Sequence, residues 1–566
     1  MALEKIADKV VNTDVLIIGG GMAGCGAAAK ARDHGLDVTL AEKAHTYRSG
    51  SAAAGLDHQN QLQVFPITDY KGQRITLLDF LRGMENRNMV LNGYGRWGGE
   101  FSSAAQDIIE NRSFWCLEEL EKLGITSKWH DGDYYFTPAA WWEGAMIVLR
   151  VHWNRIKPML HAACVKKGVN ILQRTMVVDL LTNNGRVVGA TAVDVRTGEF
   201  IVIKAKATAV AAGQVWRIYS PETPTSWKYK LRYHFCPASG AGDGLAMAYR
   251  IGAELTNMDV TGWAFRIRDD STISFGNFTW NDGLTAKYFT WTGEEFGYNN
   301  APKYIELEQK GLTPVYNSLE HLPDDFHKRM EVAYVDERLV SFKIAEDRGF
   351  NPRTHRYEMM DNRPHFLPHC YIATEKDYKA RLVEGLHSMG GTSGGLICGD
   401  RIHRTVSEAP EPVIDEAQVE SQKQIALAPL HVKDGTEPME LECAIRYACD
   451  RYVGQFKSEG KLREGMRRLG SLKREFLPKL MAKDPHYLMR ALECRNLIEM
   501  AEVHMNAVME RKESRGNHIR LDYPERDKSL DHMITYQRLE NGKPVLERRK
   551  VPPLTPENAK KFAAMK

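Results

Sequence analysis

The sequence lacks the patterns that would indicate a metal centre or a membrane anchor. Its nine cysteines are scattered and no two are spaced as CxxC, which argues against a zinc ribbon, a redox dithiol or an iron–sulfur cluster in this chain. No uncharged apolar run approaches the roughly 20 residues of a membrane helix. Residues Met1–Val11 carry mixed charge, unlike a signal peptide. We therefore predict no metal site, no direct membrane insertion and a cytoplasmic protein with reduced thiols.

A bias toward charge of one sign is also missing. Lysine and arginine together number 76 and aspartate and glutamate 73, giving a net charge of +3. Because no basic stripe is present, we expect no nucleic-acid partner. The 566 residues exceed what one ordinary core accommodates, so we expect two or three domains.

The strongest pattern lies in the first forty residues. Asp14–Ile18 is a short apolar run, typical of a buried parallel strand. The glycine-rich turn Gly19–Gly24 follows at once, and Cys25–His34 is alanine-rich and predicted to be helical. Leu36–Leu40 is predicted to be the next strand, and Glu42 stands at its end. This order of strand, GxGxxG turn, helix, strand and acid indicates a dinucleotide-binding unit.

Each part of this unit has a physical reason. We expect Gly19 to permit the tight turn, Gly21 to let the backbone approach a pyrophosphate, and Gly24 to let helix and strand pack closely. The helix N-terminus offers free N–H groups to the phosphates. Glu42 is predicted to accept hydrogen bonds from ribose hydroxyls. The motif alone does not distinguish FAD from NAD.

Later segments supply the distinction. Arg48–Gly55, RSGSAAAG, resembles the segment beneath the flavin in the fumarate reductase/succinate dehydrogenase flavoproteins. Lys204–Gly213, KAKATAVAAG, and Ser239–Gly244, SGAGDG, resemble two further landmarks of that family. Arg511–Asp527 closely matches its C-terminal signature R.ESRG.H.R.DYPERD. The resemblance covers roughly residues 12–530.

The resemblance implies an α/β fold, with a Rossmann-like FAD-binding domain, an α+β capping domain and a C-terminal helical domain. The implied divisions are residues 1–239 for the first part of the FAD-binding domain, 240–386 for the substrate-capping domain, 387–412 for a shortened return to the FAD domain and a linker, 413–530 for the helical domain and 531–566 for the tail. The tail is polar and contains proline, so we expect it to wrap a partner or to be partly disordered.

The resemblance also implies FAD as the cofactor. Gly50 stands where the membrane-bound members carry the histidine that bonds the flavin, so we expect non-covalent FAD. The residues predicted to bind it are Gly19, Gly21, Met22, Ala23, Gly24, Glu42, Lys43, Ser49, Gly50, Ser51, Gly55, Val178, Ala211, Ala212, Gly213 and Asp243.

Two departures separate this chain from the family pattern. The RSG form of the flavin segment is closer to the alpha subunit of adenylylsulfate reductase, yet that enzyme's active-site histidine aligns with Thr392. The second FAD segment begins as Met389–Asp400, but some tens of residues are absent after it. Gly395–Asp400 is interpreted as a shortened substitute, or alternatively as only a turn. We therefore expect neither fumarate reduction nor adenylylsulfate reduction as such.

Three residues are candidates for catalysis. Arg266 matches an arginine of the adenylylsulfate reductase pocket and is suited to bind an anion, although an interdomain salt bridge is an equal alternative. His387 is a candidate general acid, or alternatively a structural histidine. Asn60 falls where that family has an asparagine close to the flavin.

The sequence thus predicts an FAD-dependent oxidoreductase, the flavoprotein subunit of a soluble redox complex. It would pass electrons between a small anionic or aromatic substrate and a ferredoxin-like iron–sulfur subunit. One alternative is an enoate or alkene reductase of the fumarate reductase type. The other is an electron-transfer or scaffold subunit with a vestigial substrate site.

Overall fold

The structure is a computed structural model, and it describes these residues: 3–53, 55–56, 58–59, 62, 64–68, 72, 74–79, 112–138, 147–153, 155–219, 239–259, 262–263, 287–296, 301–318, 320–329, 356–358, 364–366, 370–515, 518–531, 533–550, 559–560 and 563–564.

The strands, in chain order, are β1 Lys9–Ile18, β2 Val38–Glu42, β3 His58–Gln59, β4 Ile67–Thr68, β5 Arg74–Ile75, β6 Tyr135–Pro138, β7 Ile147–Arg150, β8 Asn170–Gln173, β9 Thr175–Asn183, β10 Arg186–Asp194, β11 Phe200–Val210, β12 Leu255–Thr256, β13 Gly262–Trp263, β14 Lys287–Thr290, β15 Glu295–Phe296, β16 Val315–Ser318, β17 Arg356–Glu358, β18 Pro364–Phe366, β19 Tyr371–Ile372, β20 Leu386–Ser388, β21 Phe456–Lys457, β22 Ile519–Arg520, β23 Met533–Glu540 and β24 Lys543–Lys550.

The α-helices are α1 Met22–Asp33, α2 Ser113–Lys122, α3 Ile156–Lys166, α4 Asp243–Arg250, α5 Ala301–Gln309, α6 Gly391–Glu408, α7 Glu416–Leu427, α8 Pro438–Tyr452, α9 Glu459–Glu475 and α10 Pro485–Glu510. No helix within the ranges that the structure covers is long and apolar enough to cross a membrane.

A seven-stranded sheet organises the FAD-binding half of the molecule. Strands β8, β2, β1 and β11 run parallel in that order, and β20 adds to β11 in parallel. Strand β10 pairs antiparallel with β11, and β9 pairs antiparallel with β10 at the edge of the sheet. The first strand, helix and second strand agree with the sequence prediction, because a continuous apolar run can be buried on both faces of a parallel sheet.

A hairpin joins β9 to β10. Its turn contains Asn184 at φ +49° and Gly185 at φ +78°. Both angles lie in the left-handed region that Asn and Gly tolerate best, which explains why the Asn-Gly pair marks this turn.

Helices cover the two faces of the sheet differently. α1 and α6 cover one face, where side chains such as Ile17, Ala27 and Leu396 share a core. The other face packs against α4, α8 and α10, with Leu16, Leu245 and others in a second core. Parallel strands buried on both sides by helices are the expected arrangement of an α/β fold.

The tail differs from its prediction up to Lys550. Strands β23 and β24 form an antiparallel hairpin, and β23 joins β12 in a four-stranded sheet. The turn contains Asn541 at φ +51° and Gly542 at φ +73°. Ile534 and Tyr536 are buried on one face of β23. The segment is therefore ordered, because the Asn-Gly turn closes the hairpin and β23 pairs with β12.

Candidate functional site

A large cavity lies at the carboxyl ends of β1, β2, β11 and β20. Its volume is about 1390 Å³, above the roughly 300–1,000 Å³ of ordinary small-molecule pockets. The carboxyl ends of strands are where open α/β sheets bind their ligands. The predicted site residues that line it are Gly19, Gly21, Met22, Ala23, Glu42, Lys43, Gly50, Ser51, Ala211, Ala212, Gly213, Asp243 and His387.

The glycines of the turn have different surroundings. Gly19 has φ +100°, and a Cβ added there would lie 2.6 Å from the carbonyl oxygen of Ala211. A Cβ on Gly24 would lie 1.8 Å from the carbonyl oxygen of Gly19. Gly21 is open, since its added Cβ would meet only the Cα of Gly50, at 3.8 Å. Gly19 and Gly24 therefore permit close packing, and Gly21 leaves room for a ligand.

Glu42 is fixed at the end of β2 by two backbone donors. Its Oε2 accepts from the N–H of Gly20 at 2.6 Å, and its Oε1 accepts from the N–H of Ala44 at 2.7 Å. The side chain is buried, and each carboxylate oxygen has a further lone pair for a ribose hydroxyl. The carboxylate is thus held rigidly at the cavity wall.

The ammonium of Lys43 is held at the cavity wall by three acceptors. Its Nζ donates to the carbonyl oxygen of Ser239 at 2.7 Å, to Asp243 at 2.7 Å and to Glu493 at 2.6 Å. These three bonds use all three donors of the ammonium. Burial lowers the pKa of Lys43, but the two carboxylates outweigh it and raise the pKa to about 12. Lys43 therefore joins the cavity wall to α10.

Gly50 occupies a position that no side chain would fit. It has φ +80°, and an added Cβ would lie 2.9 Å from the Cα of Gly21. A histidine at Gly50 would be strained by the backbone angle and would collide with the glycine-rich turn.

Four predicted cofactor-binding residues do not line the cavity. Gly24 and Gly55 stand outside its lining, and the Ser49 hydroxyl donates to the carbonyl oxygen of Gly20 at 3.0 Å. Val178 packs into a core on the far face of β9, whereas its neighbour Val177 lines the cavity. The difference at Val178 arises because successive side chains of a strand point to opposite faces.

The chain returns to the sheet of the FAD domain at β20. Leu386 pairs with Thr208 and Ser388 with Val210, so β20 is itself the returning strand. α6 starts at Gly391, and only two residues separate it from β20. β20 therefore passes almost directly into α6.

The glycines that the sequence suggested as a substitute flavin segment lie inside α6. A Cβ on Gly395 would lie 2.1 Å from the carbonyl oxygen of Ala23, and one on Gly399 would lie 2.3 Å from that of Ala27. These glycines let α6 cross α1 at close range. Thr392 is buried in the first turn of α6, where its hydroxyl donates to the sulfur of Met22 at 3.4 Å.

Of the three catalytic candidates, only His387 lies within the described residues; Arg266 and Asn60 lie outside them. His387 lines the cavity from β20. Burial lowers the pKa of His387, and the Arg186 charge lowers it further, although Glu375 opposes them. The imidazole is therefore neutral near pH 7 and carries one donor and one acceptor nitrogen.

Two arginines that were not predicted from the sequence, Arg186 and Arg401, line the same cavity as His387. Arg401 lies on α6, with Nη1 3.5 Å from Glu375, and Arg186 forms an ion pair with Glu384. The sequence feature that could have indicated Arg401 is its three-residue spacing from Arg404, which places both on one face of a helix. In the part of the chain that the structure describes, no three His, Cys, Asp or Glu side chains are grouped to hold a metal ion.

The residues present fit FAD. Gly21 provides an open backbone surface beside the N-terminus of α1, Glu42 is placed for a ribose, and the cavity continues to the glycines that begin α6.

Comparison with known proteins indicates the same cofactor. Residues 14–267 match the profile described as FAD binding domain. Residues 444–560 match the profile described as Fumarate reductase flavoprotein C-term. The chain thus resembles the flavoproteins of the fumarate reductase/succinate dehydrogenase family at both its FAD-binding and its C-terminal domain. It is an FAD-dependent oxidoreductase, as the sequence predicted.

Individual members of the family are distant in sequence. One of the subunits of the fumarate reductase (CoM/CoB) of Methanothermobacter marburgensis is 21% identical, with 91% of this chain and 95% of that protein covered. The fumarate reductase flavoprotein subunit of Haemophilus influenzae is 21% identical, with 95% and 94% covered.

Among solved structures, adenylylsulfate reductase of Archaeoglobus fulgidus superposes with a TM-score of 0.75 at 23% identity, and 95% of this chain and 96% of that chain are covered. This similarity confirms the predicted fold of the flavoprotein family.

Proposed function

We propose that the protein is the flavoprotein subunit of a redox complex, passing electrons between a small anionic substrate and an iron–sulfur partner. The observation that carries this proposal is the extent of the cavity. It runs from the dinucleotide-binding turn past β20 to Arg186, Arg401 and His387. Guanidinium groups bind carboxylate, sulfate and phosphate groups through paired hydrogen bonds.

Different groups of the chain would bind successive parts of the cofactor and the substrate along the cavity. The N–H groups of Gly21 and the first turn of α1 would bind phosphates, and Glu42 would bind a ribose. The amides that begin α6 would face the far end of the cofactor, and neutral His387 would hold or release a proton at a substrate oxygen. When bound, FAD supplies the capacity to accept and release electrons.

An electron partner is proposed because the sequence contains no cluster-binding cysteine pattern. The two relatives compared above are both named as subunits of fumarate reductases. We propose a ferredoxin-like iron–sulfur protein as the corresponding partner of this chain. The boundary of a substrate-capping domain at residues 240–386, and roles for Arg266 and Asn60, belong to the same proposal.

We expect the flavin to be bound without a covalent bond. The purified protein should show flavin absorption bands, and acid precipitation should release them into the supernatant, because Gly50 offers no atom for the bond and no room for a histidine. The measurement is a visible spectrum before and after precipitation. Bands that remained with the pellet would contradict this expectation.

Electron flow should require both an anion and the arginine of α6. We expect a reduced ferredoxin to reduce the bound flavin, and a small unsaturated acid such as crotonate or cinnamate to reoxidise it. The Arg401→Gln variant should raise the KM for that acid by about 10- to 100-fold, since a charge-assisted hydrogen bond contributes roughly 1.5–3 kcal/mol. Stopped-flow absorbance measures both half-reactions.

Arg463→Gln on α9 is the matched control, because Arg463 is exposed and pairs with Glu459 outside the cavity. Reoxidation by oxygen and artificial dyes but by no acid would favour the electron-transfer or scaffold alternative. Turnover with acids but no reduction by ferredoxin would favour a self-contained enoate reductase.

A further inference from the structure

Gly20, in the glycine-rich turn, is held at both its N–H and its carbonyl oxygen by buried side chains. The N–H of Gly20 donates to Glu42 at 2.6 Å. The carbonyl oxygen of Gly20 accepts from the Nζ of Lys157, from the Ser49 hydroxyl at 3.0 Å and from the Cys25 thiol at 3.2 Å. Three donors on one carbonyl oxygen exceed what an ordinary turn needs, since an oxygen has two lone pairs.

We propose that Lys157 is a positioning residue that aims the N–H of Gly21 at the cofactor's pyrophosphate. In a trans peptide the C=O of one residue and the N–H of the next point in opposite directions. The Gly20 oxygen is drawn inward by the three donors, so the N–H of Gly21 is turned outward. Gly21 lines the cavity, and its surroundings are open.

The setting of Lys157 supports a role beyond filling space. The side chain is fully buried on α3, and its other hydrogen-bond contact is the Cys25 sulfur at 3.4 Å. A buried ammonium is costly to desolvate unless its hydrogen bonds are strong or an anion lies nearby. The Glu42 carboxylate accepts a hydrogen bond from the N–H of Gly20. A bound pyrophosphate would place a second anion on the far side of the Gly20–Gly21 peptide from Lys157.

Lys157 does not line the cavity. Its action therefore passes through the backbone, and it orients a donor that the ligand contacts. A pyrophosphate would gain from both the fixed N–H of Gly21 and the positive charge behind it, whereas an uncharged adenosine would gain from neither. This difference separates a positioning role from a purely structural one.

The test compares ligands with and without phosphates on the full-length protein freed of flavin. We expect Lys157→Met to weaken the affinity for FAD and for ADP by about 10- to 100-fold, as expected for a lost hydrogen bond to a charged group. The affinity for adenosine should change less than about threefold. Titration calorimetry gives the three dissociation constants. Lys166→Met is the matched control on the same helix, since Lys166 is exposed.

Ser49→Ala provides a second arm that leaves every charge in place. It removes one neutral donor to the same oxygen, so the ADP affinity should fall by about two- to tenfold with adenosine unchanged. If Lys157→Met does not fold, the affinities of Ser49→Ala for ADP and adenosine test the proposal. Equal losses for ADP and adenosine, or no loss for either, would overturn the proposal. A wild-type protein that failed to bind ADP would instead contradict the cofactor site itself.

Discussion

The substitution Gly24→Ala should abolish FAD binding and lower the free energy of unfolding by at least about 3 kcal/mol. The added methyl group would lie 1.8 Å from the carbonyl oxygen and 3.0 Å from the carbonyl carbon of Gly19. Both are backbone atoms, so no side-chain rotation relieves the contact. α1 would have to move away from β1, and the glycine-rich turn would lose its shape.

Gly26→Ala on the same helix is the control. Its added methyl group would meet the carbonyl oxygen of Thr392 at 3.5 Å and Leu396 at 3.7 Å, which are ordinary contact distances. Alanine favours a helix by up to about 1 kcal/mol over glycine, so this variant should be as stable as the wild type or more stable. Denaturant titration and flavin retention on gel filtration measure both effects. A Gly24→Ala protein that folds and retains FAD would show that the turn adapts.

The second large effect is expected from Glu493→Gln. Glu493 is buried on α10 and binds Lys43 at 2.6 Å and Arg217 at 2.5 Å. Burial raises the pKa of Glu493, but the two cations outweigh it and hold the pKa below its usual value. Removing the charge leaves two buried cations short of a counterion, so we expect a loss of about 3–5 kcal/mol in the free energy of unfolding.

Glu502→Gln is the matched variant on the same helix. Glu502 pairs with Lys473 at 2.6 Å, but the lysine side chain is 46% exposed, and pairs of that kind contribute only about 0–1 kcal/mol. Urea unfolding monitored by circular dichroism compares the two variants. Equal, small losses would mean that Arg217 and Lys43 find other partners when Glu493 loses its charge.

Local patterns explain which parts of the fold the sequence could predict. The order of β1, glycine-rich turn, α1 and β2 follows from apolar runs and glycine spacing within about thirty residues. The same is true of the β9–β10 turn at Asn184 and Gly185. The tail hairpin carried an equally local signal at Asn541 and Gly542, and it was missed because the surrounding residues are polar.

The remaining differences come from contacts between distant parts of the chain. The partner of Lys43 on α10 is Glu493, far along the chain, so the sequence around Lys43 gave no indication that its ammonium is already occupied. In the sequence, the glycines at Gly395 and Gly399 resemble a flavin-binding loop. Only the packing of α6 on α1 shows that they serve a helix crossing.

The core shared by the sheet and the C-terminal helices has a consequence for how the chain could be divided. Leu16 of β1 and Leu245 of α4 belong to one continuous apolar cluster with Leu497 and Met500 of α10. A fragment ending in the linker near residue 412 would contain every residue of the glycine-rich turn. The face of its sheet that α8 and α10 cover would, however, be exposed to water. The residues that recognise the cofactor therefore form a smaller unit than the one that folds. We expect the N-terminal and C-terminal halves of the chain to unfold together as one cooperative unit.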